Sequence, residues 1–296
     1  MQIFEMLVGV AGAGKSTFAQ LQRQSIEDRT GVECVICSSD AIRGELWGDE
    51  SDQREPNKVF QVMLARTRKA LSEGKSVIYD AANIEEKYRV QILQQIYKFD
   101  CKKICDVFIT KPETCIARQS LRARKVPEYV IWRQIKKFQT PNYYEGWDEI
   151  HVIIEAFSKE EFNEEVNKLV DFDQHNPHHI HNLMDHQWYS GQYAKDKEYQ
   201  QIVIDAAFLH DFGKIYTQIF DEAGVAHYYN HENVSAYFYF LLTNQSSDDA
   251  IDSSWLIAHH MDFFKDEKYM KKLRTRAGER LYTALERLHK CDVESH

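Results

Sequence analysis

Short apolar runs alternate with longer amphipathic segments along the first half of the chain. The runs have the length and composition of buried strands, and the segments between them carry apolar residues at helical spacing. The runs are Ile3 to Val8, Glu33 to Ser38, Lys75 to Asp80, Lys103 to Ile109 and Ile150 to Ile154. Such alternation predicts an α/β domain in which a parallel sheet carries helices on both faces.

The pattern changes near residues 160–172, where we place a domain boundary. Beyond it, apolar residues recur at helical spacing and no strand alternation is visible. The expected helices are 183–194, 198–213, 231–243, 248–264 and 275–292. The 296 residues therefore predict two domains, an α/β domain over 1–165 and an all-α domain over 171–296.

A phosphate-binding loop follows the first predicted strand. The segment from Gly9 to Thr17 fits GxxxxGK[ST] and leads into a helical segment, which is the strand, loop and helix context of a P-loop. Backbone N–H groups there cradle phosphates, Lys15 reaches the β and γ phosphates, and the Ser16 hydroxyl ligates Mg²⁺. The expected nucleotide-binding residues of the loop are Gly9, Gly12, Gly14, Lys15, Ser16 and Thr17.

Polar residues end the next two predicted strands. Asp40 and Arg43 are three residues apart after the second strand, which suits a base for an acceptor hydroxyl beside a phosphate clamp. Asp40 could equally be a helix N-cap with Arg43 exposed. Asp80 ends the third strand, where it could hold magnesium or order water, or cap the following helix.

The chain is acidic overall but carries one basic segment. The net charge is −9, which argues against general attraction to nucleic acid. Residues 111–140 nevertheless hold eight basic residues against two acidic ones. Arg118, Arg122 and Arg124 precede Val126 and Pro127 there, so an arginine-rich lid over a transferring phosphoryl group is one interpretation. A solvated helix face is the other.

Histidine and aspartate residues mark the second domain as a candidate metal site. His210 and Asp211 are adjacent near the end of an apolar helix, and imidazole and carboxylate are common metal ligands. Further candidates stand at the ends of other predicted helices. They are His186, His231, His259, His260 and Asp292. Histidines bonded to backbone carbonyls in a helical core are the structural alternative.

The cysteines and the length of the apolar runs bear on the redox state of the protein and on its location. Six cysteines are scattered through predicted strands and helices, so we expect reduced thiols, and Cys34 to Cys37 is expected to be core strand despite its CxxC spacing. No apolar run approaches the roughly 20 residues of a membrane span. We expect a cytosolic protein with no membrane partner.

The motifs of residues 1–157 resemble the P-loop polynucleotide 5′-kinase family. Those motifs are GxxxxGKS, SSDxxR, YDAAN and RxxxRxRxVP, followed by Phe138, Pro141 and Glu145-Gly146. The resemblance implies ATP and Mg²⁺ at Lys15 and Ser16. It also implies Asp40 as general base on a 5′-hydroxyl, Arg43 on the acceptor-side phosphate, and Arg118 and Arg122 as lid arginines. Ala82 departs from the threonine more usual there, which leaves the role of Asp80 open.

The second half resembles the HD phosphohydrolase superfamily over residues 171–296. The histidines and aspartates follow its order, and Asn176 to His186 is similar to the entry segment of HD domains associated with RNA end repair. The resemblance implies a first metal set, and a second set of His231 with His259 or His260. The first set is His186, His210, Asp211 and Asp292. Asp211 is expected to bridge two metals or take up a proton, and Lys214 to bind the phosphate. His179 is a candidate phosphate contact, whereas His175, His178 and His181 are expected at the surface.

Together the two resemblances imply a bifunctional end-healing enzyme for RNA, with tRNA or DNA ends also conceivable. It would phosphorylate 5′-hydroxyl ends with ATP and remove 2′,3′-cyclic, 2′- or 3′-phosphates with Mn²⁺, Ni²⁺ or Co²⁺, leaving ends for a separate ligase. A small-molecule kinase fused to a nucleotide phosphohydrolase is one alternative. A kinase with a non-catalytic HD sensor is another. The oligomeric state and the number of HD metals stay open.

Overall fold

A computed structural model describes residues 1–122, 125–170, 172–175 and 182–295. The chain divides into two compact units. The first holds Met1–Gln134 and Glu145–Ile153, and the second holds Ile135–Tyr144 and Ile154–His296. Arg124, His178, His179 and His181 lie outside the described residues.

Strands and helices alternate in the first unit, as the sequence predicts. In chain order its elements are β1 (Gln2–Val8), α1 (Lys15–Thr30), β2 (Cys34–Ser38), α2 (Ser39–Trp47), α3 (Pro56–Ser72), β3 (Ser76–Asp80), α4 (Glu86–Ile96), β4 (Cys101–Thr110), α5 (Pro112–Ser120), α6 (Glu128–Ile135) and β5 (Glu149–Glu155). The last residue of α6 and the last two of β5 belong to the second unit.

The strands form one five-stranded sheet in the order β2-β3-β1-β4-β5. β1 pairs in parallel with β3 and β4, and β2 pairs in parallel with β3. β1 is central and buried on both faces, with Phe4, Met6 and Leu7 inaccessible to solvent. The predicted α/β sheet is confirmed, and it brings the ends of β1, β2 and β3 to one edge.

The second unit is mainly helical. Its elements are α7 (Lys159–Val170), α8 (Leu183–Asp196), α9 (Gln201–Leu209), a 3₁₀ turn (Phe212–Tyr216), β6 (Ile219–Phe220), β7 (Ala226–His227), α10 (His231–Thr243), α11 (Asp248–His259), a 3₁₀ turn (His260–Phe264) and α12 (Glu267–Glu294). The core includes the fully buried Tyr237, Phe240 and Trp255. α12 is interrupted at Gly278, whose backbone is not helical.

The helical second unit also contains a short β6–β7 ribbon, which the sequence pattern does not predict. Ile219 pairs with His227 and Phe220 with Ala226 in an antiparallel arrangement. Asp221 closes the ribbon because its carboxylate accepts the backbone N–H groups of Ala223 and Val225. A ribbon of two residues per strand is too short to produce an alternating pattern that could be recognised in the sequence.

The boundary between the units also differs from the predicted 160–172. Helix α7 belongs to the second unit, where the Tyr216 hydroxyl donates to Glu165 and Lys168 donates to Tyr216 at 2.9 Å. Residues 135–144, of which 135–140 end the basic segment that we interpret as a lid, belong to the second unit as well. Asn142 donates to Asp252 at 3.1 Å, and the ring of Phe138 packs edge-on against Tyr237.

Candidate functional sites

The phosphate-binding loop joins β1 to α1, and its backbone depends on glycine. Gly12 has φ +88°, and a Cβ placed there would lie 2.6 Å from the carbonyl oxygen of Cys115. Gly14 is the left-handed N-cap of α1, while Gly9 donates its N–H to the Ala82 carbonyl at 2.9 Å. The loop therefore leads into the N-terminus of α1, where an anion is favoured.

Lys15 lies across the loop at the first position of α1. Its ammonium donates to the carbonyls of Gly9 and Val10, each at 2.8 Å. Burial lowers the pKa of Lys15, and the nearby charges of Asp80 and Asp40 oppose that shift. The two carboxylates therefore help to keep a positive charge where the sequence predicts phosphate contact. Thr17 is exposed in the first turn of α1.

Ser16 and Asp80 face each other between α1 and the end of β3. The Ser16 hydroxyl donates to Asp80 Oδ2 at 2.9 Å. Burial raises the pKa of Asp80, and Lys15 and Ser16 oppose the shift. Helix α4 begins only at Glu86 with Glu85 as its N-cap, so Asp80 is not a helix cap. The hydroxyl and the carboxylate are adjacent oxygen ligands of the kind that Mg²⁺ prefers.

Asp40 and Arg43 lie within the first five residues of α2. The N-cap is Ser38, so Asp40 lies inside the helix, and Arg43 donates to its carboxylate at 2.7 Å. The Asp40 side chain is 47% exposed and the Arg43 side chain 9%. Arg43 Nε is buried and bonds no acceptor within the described parts of the chain. A buried guanidinium with an unused N–H is suited to an oxyanion.

These groups converge on one pocket of about 670 Å³ in the first unit. It brings together most of the predicted kinase residues, namely Gly12, Gly14, Lys15, Ser16, Asp40, Arg43 and Arg122, and adds Asp80. Arg118 instead lies against the loop, with its guanidinium 3.5 Å from the Gly12 carbonyl. Sequence reasoning missed the pocket residues Gln119 and Gln134. Glutamines at these places resemble ordinary helix surface residues, so no signal distinguished them.

Four predicted metal ligands of the second unit lie together. His186 Nε2 is 3.2 Å from His210 Nε2, and Asp292 Oδ1 is 3.2 and 3.3 Å from these two nitrogens. Asp211 Oδ2 completes the group at 3.5 and 3.7 Å from the same nitrogens. Ligands at about 2.1 Å from one ion stand roughly 3.0 to 3.4 Å apart, so the two nitrogens and Asp292 Oδ1 have the spacing of ligands to one transition metal, and Asp211 Oδ2 lies slightly farther away.

The other oxygen of Asp211 faces a second pair of histidines. Asp211 Oδ1 is 3.0 Å from His231 Nε2 and 3.5 Å from His260 Nε2, and these two nitrogens are 3.2 Å apart. Gly213 permits this approach, since a Cβ there would lie 2.3 Å from the His231 carbonyl oxygen. Asp211 thus presents one oxygen to each histidine pair, which is the arrangement of a bridging carboxylate.

Backbone carbonyls determine which nitrogen of three of these histidines is protonated. Nδ1 of His210, His231 and His260 bonds the carbonyl three residues earlier, at 3.0, 2.8 and 2.7 Å. A carbonyl can only accept, so in a neutral ring Nδ1 carries the proton and Nε2 offers a lone pair. Hydrogen bonds of this kind orient metal-binding imidazoles.

The electrostatics of the cluster favour a cation. Burial opposes protonation of His210, but the charges of Asp211 and Asp292 outweigh it and raise the pKa of His210. Burial also disfavours a charged Asp211, yet Lys214 and His210 hold its pKa well below the usual range. The buried Lys214 ammonium bonds Asp211 Oδ2 at 2.6 Å and Gln174 at 3.0 Å.

Of the two candidates for the second set, His259 lies outside the metal cluster and His260 lies within it. His259 Nδ1 bonds Asp262 Oδ2 at 2.6 Å, and its ring packs on Trp255. His259 ends α11 and His260 begins the following 3₁₀ turn, so the two rings point in different directions. The second donor set is therefore Asp211, His231 and His260. His175, expected at the surface, is exposed.

Comparison with known proteins concerns mainly the first unit. Residues 5–141 match the family model described as AAA domain. An L-seryl-tRNA(Sec) kinase of Methanococcus maripaludis is 22% identical over 174 residues, which are 57% of this chain and 65% of that protein. The chain thus spans about two thirds of that relative.

Two solved structures are similar to part of the chain at low identity. One is the Pnkp1/Rnl/Hen1 RNA repair complex, with 21% identity, a TM-score of 0.40, and coverage of 46% of this chain and 43% of that chain. The other is a gluconokinase from Sinorhizobium meliloti 1021, with 14% identity, a TM-score of 0.36, and coverage of 53% and 84%. No helix in the described ranges is long and apolar enough to cross a membrane. The parallel sheet, the P-loop and the matched region of the first unit fit a P-loop kinase domain.

Proposed function

We propose that the chain is a bifunctional RNA end-healing enzyme. The first unit would transfer the γ-phosphoryl group of ATP to a 5′-hydroxyl end. The second unit would hydrolyse a 2′,3′-cyclic phosphate or a 2′- or 3′-phosphate. RNA is the favoured substrate because cyclic phosphates arise when a 2′-hydroxyl attacks the RNA backbone. The products, a 5′-phosphate and a 3′-hydroxyl, are the ends that a separate ligase joins.

The observation that carries the kinase half is the placement of Asp40 and Arg43 in the same pocket as Lys15 and Ser16. Asp40 is half-exposed, so it can reach an incoming hydroxyl, and Arg43 holds it by a hydrogen bond. As the hydroxyl oxygen bonds the γ-phosphorus, Asp40 accepts its proton and the bond to ADP breaks.

Other pocket residues bind and neutralise the transferred group. Lys15 and Arg122 supply positive charge beside the loop, and Arg43 offers its unused N–H to an acceptor phosphate. Ser16 and Asp80 would hold Mg²⁺, which lowers the negative charge of the triphosphate when bound.

The observation that carries the hydrolase half is the pair of histidine sets that share Asp211. His186, His210 and Asp292 would hold one divalent metal ion, and His231 and His260 a second. Such ions would polarise the phosphoester and lower the pKa of a bound water molecule toward neutral pH. Lys214 holds Asp211 in place and supplies a positive charge beside it, as a phosphate-binding group requires.

One alternative retains both chemistries but changes the substrate to small molecules. The net charge of −9 favours it, since a long polynucleotide would be repelled in general. The basic segment at 111–140 favours a nucleic acid end, and Arg122, Lys125 and Arg133 of that segment line the pocket. The basic groups thus lie where the acceptor would bind, which is why we favour RNA.

The test is a gel assay on RNA oligonucleotides that carry a 5′-hydroxyl or a 2′,3′-cyclic phosphate, with ATP, Mg²⁺ and added Mn²⁺, Ni²⁺ or Co²⁺. We expect Lys15→Ala to abolish only 5′ phosphorylation and Asp211→Ala to abolish only 3′ phosphate removal. The exposed Lys87→Ala and Asp196→Ala serve as matched controls with wild-type activity. If wild type modifies nucleosides and nucleotides but neither oligonucleotide, the RNA assignment is wrong. Metal binding without hydrolysis would indicate a sensor.

A further inference from the structure

Gln134 connects helix α6 to the phosphate-binding loop. Its side-chain oxygen accepts the backbone N–H of Ala11 at 2.7 Å, and both residues line the kinase pocket. Residues 9–11 are also fixed by other groups. Gly9 bonds the Ala82 carbonyl, and Lys15 bonds the carbonyls of Gly9 and Val10. Gln134 thus adds a connection from α6 to a segment that other hydrogen bonds also hold.

Helix α6 forms a wall of the pocket through residues that precede Gln134. Tyr129, Val130 and Arg133 line the same pocket, and the Arg133 guanidinium lies 5.9 Å from the centre of the Tyr129 ring. The helix has only eight residues, and an isolated helix of that length is unstable in water. Its place therefore depends on contacts such as those of the buried Ile131 and of Gln134.

We propose that Gln134 is a positioning residue for phosphoryl transfer, which fixes the α6 wall against the phosphate-binding loop. This inference rests on the proposed kinase function. The acceptor hydroxyl must approach the γ-phosphorus in line, and a misplacement of about 1 Å can cost on the order of 100-fold in rate. A wall tied to Ala11 keeps a fixed distance from the loop that holds the phosphates. Gln134 acts through α6 and makes no bond in the reaction.

The hydrogen bond from the Ala11 N–H requires an acceptor oxygen at position 134, but that oxygen need not belong to an amide. Gln134→Met keeps the length of the side chain and removes the acceptor. Gln134→Glu keeps an oxygen that accepts the Ala11 N–H, although it adds a negative charge in the phosphate pocket. Gln24→Met is the matched control, since Gln24 lies on the exposed side of α1 and its amide donates to Asp28.

The experiment measures kcat and KM for the acceptor at saturating ATP, KM for ATP, ATP hydrolysis without acceptor, and the Tm of each full-length variant. For Gln134→Met we expect transfer to fall about 10- to 100-fold through kcat and acceptor KM. Its ATP KM should change less than about threefold and its Tm should match wild type. Gln134→Glu should recover at least about a third of the lost rate at saturating ATP, and Gln24→Met should equal wild type.

The inference is overturned if Gln134→Met transfers like wild type, or if Gln134→Glu is as impaired as Gln134→Met. If Gln134→Met lowers the Tm, Gln134→Asn replaces it, because the shorter amide cannot reach Ala11 and the same loss is expected. Failure of the proposed function would be seen differently, because the wild-type protein itself would then leave RNA ends unmodified. In that case the same variants are compared with whichever hydroxyl acceptor wild type phosphorylates.

Discussion

The geometry of the second metal set predicts opposite effects for replacing the adjacent residues His259 and His260. His260→Ala removes a nitrogen that lies 3.5 Å from Asp211 Oδ1 and 3.2 Å from His231 Nε2. His259→Ala removes a ring of the same size, next in sequence and also buried, which bonds Asp262 instead. We expect His260→Ala to lose metal from this set, whereas His259→Ala keeps it.

The size of the effect follows from linkage between metal binding and folding. A metal at 100 times its Kd stabilises the native state by about 2.7 kcal/mol. For a unit of roughly 150 residues this raises Tm by about 5 to 10 °C. Loss of one ligand of three is expected to weaken the affinity at least about 100-fold, since even groups behind the ligands contribute 10- to 100-fold. The protection then falls to about 0.4 kcal/mol, or about 1 °C.

The assay combines metal content per chain after dialysis with the Tm shift on adding Mn²⁺, Ni²⁺ or Co²⁺. Wild type should hold up to two ions, His260→Ala one, and His259→Ala as many as wild type. Asp211→Ala should hold neither, because both sets share its carboxylate. The reasoning is refuted if His259→Ala loses an ion while His260→Ala retains both.

Three further predictions concern the first unit. Asp40→Asn keeps an acceptor for Arg43 but cannot take a proton from the hydroxyl. Initial rates should therefore show kcat reduced about 10²- to 10⁴-fold and the KM for ATP nearly unchanged. A loss of kcat below about tenfold would contradict the assignment of Asp40 as the base. Burial, together with the charge of Asp106, raises the pKa of Glu5 from 4.5 to about 8. The stability from this shift is therefore complete below about pH 4.5 and is lost as pH rises through 8, so urea denaturation from pH 5 to 9 should show a decline that Glu5→Gln abolishes. Glu145→Gln should cost about 3 to 5 kcal/mol in the same assay, because it leaves the fully buried Arg89 without its charged partner. The added change Arg89→Met should recover part of that loss, and a single-variant cost below about 1 kcal/mol would count against the buried ion pair.

The fold of the first unit could be predicted because its determinants are local. Each strand contains a short, mostly apolar run, and the glycine spacing of the P-loop specifies both its backbone and its place after β1. The roles of Asp80 and Gln134 were harder to predict because they depend on distant partners. Asp80 bonds Ser16, 64 residues away in sequence, and Gln134 bonds Ala11, 123 residues away. Contacts between residues so far apart in sequence produce no periodic pattern from which they could be predicted.

The assignment of residues 135–144 was missed for a related reason. In composition this segment continues the basic stretch, and nothing in its own pattern separates it from α6. Its side chains belong to the core of the second unit, where the Thr140 and Ser254 hydroxyls lie 2.6 Å apart and Trp255 donates to the Tyr144 hydroxyl at 2.9 Å. Buried polar pairs must be satisfied, so such contacts decide to which unit a segment belongs. They join residues more than 100 positions apart.

The choice between His259 and His260 shows what a motif leaves undetermined. Two adjacent residues near a helix end differ by about 100° in direction, and the sequence does not say which direction faces Asp211. The structure supplies a rule that the motif lacks. In His210, His231 and His260, Nδ1 bonds the carbonyl three residues earlier, which leaves Nε2 to face the cluster. The Nδ1 of His259 bonds a carboxylate instead. A histidine at a helix terminus with this backbone bond is thus prepared for metal by its own local geometry. The same geometry explains why replacing the neighbouring histidine should leave the metal in place.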